Sequence, residues 1–101
     1  MDITDLSEKI RFSPDAHVQE VIYDADGRRC LLFCLEPEQS IGFSESRGTV
    51  SLCVVEGEGT FTGEDIENSV EKGSLCVCRQ DDTHKHSLKA KSRFVVLVVI
   101  A

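Results

Sequence analysis

Histidines and cysteines carry most of the chemistry open to this chain of 101 residues, which holds three of the first and five of the second. His84 and His86 flank Lys85. Two residues apart in a strand, they share one face. A pair of imidazoles on one face can bind an anion, act as acid and base, or supply half of a metal site. Their plainer role is as hydrogen-bonded wall residues beside a wet opening. Cys76 and Cys78 repeat the same spacing. Their Cα atoms stand about 6.5–7 Å apart along a strand, at or beyond the reach of a disulfide. They join a metal site only if their face meets His84 and His86 in the interior. Otherwise they are small buried apolar side chains. Cys30 and Cys34 share a face with Leu32 and read as packing residues. Cys53 falls on the opposite face from Val50, Leu52 and Val54, hence on the outside. His17 stands alone beside Val18 and reads as a surface residue. Gly57-Glu58-Gly59 is followed by no helix pattern and no Lys-Ser/Thr pair, so it is a turn and not a phosphate loop.

The elements that must position these groups are strands. Val18 to Tyr23 and Arg29 to Leu35 flank Asp24-Ala25-Asp26-Gly27, and Asp-Gly is a strong hairpin signal. Glu36-Pro37-Glu38 breaks the chain. Ser40 to Ser46, Thr49 to Glu56, Thr60 to Gly63, Ile66 to Val70, Ser74 to Cys78, His84 to Ala90 and Arg93 to Ile100 follow. Eight or nine short strands at this spacing predict a sandwich or barrel. Ile3, Leu6 and Ile10 sit at helical spacing, so residues 1–14 are expected to form a short helix or an extended arm, ended by Pro14. The chain is expected to be one domain over residues 1–101.

Two stretches resemble the paired motifs of the cupin superfamily. One is Leu35-Glu36-Pro37-Glu38-Gln39-Ser40-Ile41 followed by the run VSLCVVEGEG over residues 50–59. The other is Lys72-Gly73-Ser74-Leu75-Cys76-Val77-Cys78, running on to His84. The second departs from the family pattern, with Arg79 where a Pro is usual and Asp81 where a Gly is usual. The resemblance spans roughly residues 30 to 100 and implies an all-β double-stranded β-helix, a jelly-roll barrel with its site in the mouth. The usual cupin metal ligands are two His, a Glu and a later His. Counted back from Gly57, the two His positions fall on Ser44 and Ser46, and the Glu position on Val50. Only His84 matches. A divalent metal needs three or four convergent ligands, and valine supplies none. No metal or other cofactor is therefore expected. The resemblance implies instead a ligand pocket walled by Ser44, Ser46, Val50, Leu52, His84 and His86.

The net charge of −7 argues against nucleic acid, which demands a clustered positive field. The first ten residues carry Asp2, Asp5 and Glu8 and lack the apolar core of a signal peptide. The longest apolar run is too short to span a bilayer. The expected setting is the cytoplasm, with no membrane partner. The leading functional expectation is a small-molecule-binding barrel, non-catalytic or weakly catalytic. Two alternatives stand beside it. One is a metal-dependent isomerase or oxygenase using His84, His86 and one of Cys76 or Cys78. The other is a purely structural dimeric module. The run from Phe94 to Ile100 is apolar on both faces, so one face needs a second layer. Ile3, Leu6, Ile10 and Phe12 look too few to supply it, and a two-fold homodimer is expected.

Overall fold

A computed structural model describes residues 1–45, 48–63, 65–78 and 84–101, without the side chains of Ser44, Glu45 and His84. Nine strands follow a four-residue 3-10 turn, Leu6–Lys9. They are β1 (Val18–Ala25), β2 (Arg28–Leu35), β3 (Ser40–Glu45), β4 (Val50–Glu56), β5 (Glu58–Gly63), β6 (Ile66–Glu71), β7 (Leu75–Cys78), β8 (His84–Ala90) and β9 (Phe94–Ile100). The strands form two antiparallel sheets, ordered β1-β2-β9-β4-β7 and β3-β8-β5-β6. The expectation of an all-β fold from short strands is met.

Local chemistry explains the turns. Asp26 and Gly27 both take positive φ, 55° and 76°, as the tight hairpin between β1 and β2 demands. Gly57 at φ 80° makes the corner between β4 and β5. Gly59 lies inside β5 rather than in the turn, buried close to the Phe94 ring.

The main core lies between the sheets. β4 contributes Val50, Leu52 and Val54, β2 Leu31, Phe33 and Leu35, and β9 Phe94, Val96, Val98 and Ile100. Ile41, Phe61, Val70, Leu88 and Ala90 meet them from the other sheet. Alternation sends the remaining side chains of β2 and β9 outward. There Leu32, Cys34 and Val95 form a second buried cluster.

The amino-terminal segment is an arm with one 3-10 turn, not a longer helix. Asp5 caps that turn by accepting from Ser7 N–H. Ile10 and Phe12 of the arm pack onto the second cluster. The arm therefore covers one end of the outer face with Ile10 and Phe12, while Ile3 stays exposed. Two contacts tie it down. Gln39 Nε2 donates to Ser13 O at 2.8 Å. The Arg93 guanidinium lies 4.7 Å above the Phe12 ring and pairs with Glu36 at 2.6 Å.

Candidate functional site

The inward faces of the strands define the interior. Arg29, Leu31, Phe33 and Leu35 alternate with outward residues along β2, and Ile41 and Phe43 do the same on β3. Register pairs Phe43 with His86. His86 is 4% exposed, the one buried polar residue among those described. Its imidazole lies between two phenyl rings, 5.3 Å from Phe43 and 5.9 Å from Phe61, nearly parallel to the latter at 9°. Phe33 continues the series beyond Phe43 at 6.0 Å, and His17 ends it, 6.2 Å from Phe33. A ladder of five rings thus runs from the edge of one sheet into the other. Aromatic contacts of this kind lock rotamers and exclude water.

The expected pocket residues divide three ways. Val50 and Leu52 point inward and are buried in the main core. His86 points inward and also lines a cavity of about 450 Å³ with Phe43, Thr62 and Asp65. Ser44 and His84 lie in β3 and β8, register-paired with Lys85 and Glu45, with side chains outside the described set. Ser46 lies outside the described residues, as do Arg79 and Asp81. Cys76 and Cys78 turn toward the core, and Cys53 stands on the outer face opposite Leu75 and Leu97.

The donor set does not fit a cupin-type metal. Val50, at the glutamate position, is an isopropyl group packed in the core. Among the described residues no three His, Cys, Asp or Glu side chains converge. Burial pushes the Cys76 thiol above its ordinary range, which disfavours the thiolate a metal requires.

A different space is open. A cavity of about 550 Å³ lies where the first two strands approach β3. Arg29, His17 and Gln19 give it polar groups, and Leu31, Phe33, Ile41, Phe43 and Ile100 give it apolar walls. Register explains the polar side: Gln19 pairs with Phe33, and Arg29 precedes Leu31 and Phe33 on the inward face. Sequence reading passed over these three polar residues. His17, read as a surface residue, is half-buried against Phe33. Residues 30–35 are apolar without interruption, so alternation along β2 offered no signal for Arg29.

No family model matches the chain, and no curated protein matches it. Solved structures do. An RmlC-like cupin from Desulfovibrio desulfuricans superposes with a TM-score of 0.86 at 27% identity, over 100% of this chain and 96% of that one. A double-stranded β-helix protein from Klebsiella pneumoniae reaches 0.82 at 18% identity, over 100% and 90%. A salicylate 1,2-dioxygenase from Pseudaminobacter salicylatoxidans reaches 0.73 at 19%, over 87% of this chain and 26% of that one. The last two share the fold alone. No described helix is long and apolar enough to cross a membrane.

Proposed function

The chain folds as a small cupin domain, and from that premise we propose that it is a small-molecule-binding barrel, non-catalytic or weakly catalytic. The cavity of about 550 Å³ carries this reading. Its size lies within the usual range for small-molecule sites, roughly 300–1,000 Å³. Its lining has the composition of such sites: apolar walls with a few polar groups at one side.

The ring ladder adds a second support. Phe43, His86 and Phe61 fill the interior with mutually packed rings. A prepacked wall loses little side-chain freedom when a ligand arrives. The cleft between β1, β2 and β3 is an accessible space beside these buried rings.

The test is a fragment screen by saturation-transfer NMR on the whole chain, repeated on Gln19→Trp. Gln19 is exposed and lines the cavity, so an indole there fills the space without disturbing the core. Fragments that bind the parent and are lost from a folded Gln19→Trp protein support the reading. Binding that is indifferent to this substitution overturns the assigned site. Elemental analysis of untagged protein addresses the metalloenzyme alternative: metal near one equivalent that survives dialysis would replace the binding reading.

A further inference from the structure

Resting on the reading of the cleft between β1, β2 and β3 as the binding site, we infer that the amino-terminal arm is a clasp on it. Release of the arm and opening of the cleft wall formed by His17 and Gln19 are one local movement. The two faces of a single strand carry the argument. The start of β1 turns Gln19 into the cleft, and His17 lies just before it against Phe33. The same stretch turns Val18 outward, into the cluster that receives Ile10 and Phe12. Arg11 pairs with Glu20 at 3.9 Å, and a backbone hydrogen bond from Arg11 reaches the Cys34 thiol. Arm and strand therefore pack as one unit on the outer cluster, while the other face of the strand is the cleft wall.

This unit is held at its margin. Among the described residues β1 pairs with β2 alone, as the edge strand of its sheet. A bulge between Val21 and Tyr23 interrupts that pairing and leaves Val18 to Val21 on the side of the arm. Gln39, in the connection before β3, makes the clasp. Its Nε2 donates to Ser13 O at 2.8 Å, and its Oε1 accepts from Glu36 N–H at 2.9 Å. Ser40 and Ile41, next in the chain, line the facing wall of the cleft. One amide thus joins the wall on β3 to the segment that leads into the wall on β1. Arg93, above the Phe12 ring, adds a second tie.

A single hydrogen bond and a single cation–π contact are modest ties. The unit they hold belongs to the low-stability end of the molecule and opens before the barrel unfolds. Linkage then runs both ways. An occupant that bridges β1 to β3 holds the arm down, and whatever draws the arm away loosens the cleft.

Cys34 is the natural reporter, fully buried while the arm is closed. The experiment follows two rates in the whole chain with no ligand added. One is alkylation of Cys34 by N-ethylmaleimide, separated from the other cysteines by peptide mass mapping. The other is hydrogen exchange of the amides of Val18 to Val21. Gln39→Glu keeps an acceptor for Glu36 N–H and removes the donor to Ser13. It is expected to raise both rates by the same factor, about tenfold, with the amides of β4 and β9 unchanged. Arg93→Gln, at an exposed position, withdraws the cation from Phe12 and is expected to raise both rates together by about threefold. A faster Cys34 reaction with unchanged protection of Val18 to Val21 overturns the inference, because the arm then moves alone. Unchanged rates in both variants overturn it too, as does a rise shared equally by β4 and β9, which is loss of the whole fold. None of these results bears on the fragment screen with Gln19→Trp, so the clasp and the binding site fail separately.

Discussion

At the scale of single residues the cysteines show how burial sets chemistry. Cys34 is fully buried beneath the arm. Desolvation pushes its thiol up, and the carboxylates of Glu20 and Glu56 push the same way, against a backbone hydrogen bond from Arg11 that pulls it down. Burial raises the thiols of Cys30 and Cys76 as well. A raised folded-state value means the native protein keeps protons that the unfolded chain has lost. Stability is then whole below the unfolded thiol value, about 8.5, and falls as pH rises through the folded values. Urea midpoints should hold steady up to about pH 8 and decline above it. Cys34→Ala should begin about 1–2 kcal/mol less stable and lose less as pH climbs. Equal slopes for the two proteins would remove burial of this thiol as the cause. The same scale shows what a sequence can reveal. The alternation of Val50, Leu52 and Val54 with Ser51 and Cys53 was legible, because one face is apolar and the other is not. Arg29 was not legible as a cleft residue. Residues 30–35 are apolar without interruption, so parity along β2 has no polar side from which to count.

Elements obey the same logic where backbone geometry is tight. Gly27 and Gly57 both occupy left-handed φ, but their surroundings differ. A Cβ on Gly27 meets nothing within 4 Å, whereas on Gly57 it would overlap the carbonyl oxygen of Arg93 at 1.7 Å. Gly27→Ala is therefore expected to cost about 1 kcal/mol, the ordinary penalty for a left-handed alanine. Gly57→Ala must also push β9's leading turn away from β5, and is expected to cost about 3 kcal/mol or more. Chemical denaturation of both variants reads the contrast directly, and similar losses would mean the corner relaxes freely. Both turns were visible in the sequence as Asp-Gly and Gly-Glu-Gly. The arm was only half visible. Its apolar residues were evident, but where they dock depends on Gln39 and Arg93, far along the chain. Phe12→Ala should expose the Leu32, Cys34 and Val95 cluster, costing about 1–2 kcal/mol for a half-buried ring and raising binding of a hydrophobic dye. A Phe12→Ala protein of unchanged stability would mean the arm is an ornament on the sheet.

For the whole molecule the open matter is the outer face of the five-stranded sheet. Phe94 to Ile100 is apolar on both sides, and the structure spends only one side on the main core. The arm covers the end at Cys34 and Val95. Register then lays out two rows across this face, of which the arm buries the second only around Leu32. One runs Tyr23, Cys30, Val99, Ser51, Val77, and the other runs Glu20, Leu32, Leu97, Cys53, Leu75. Tyr23, Val99, Leu75 and Val77 are 45%, 38%, 68% and 55% exposed. Glu20, at the β1 end of the second row and ion-paired with Arg11, is the one charged residue in the two rows. Two copies meeting over β9, β4 and β7 do not bring this carboxylate and its copy together, and each large apolar side chain withdrawn from water contributes up to about 1.5–3 kcal/mol. A two-fold pairing of this face with itself is thus the expected assembly, since a flat uncharged patch is complementary to its own copy. Sedimentation equilibrium at micromolar protein should return twice the chain mass of 11.2 kDa. Val99→Glu and Leu75→Glu place carboxylates in the two rows without touching the core or the cleft. Both variants should be folded monomers that keep the parent's binding in the cleft between β1, β2 and β3. A parent protein that sediments at 11.2 kDa refutes the pairing. A glutamate variant that stays dimeric moves the contact to another surface.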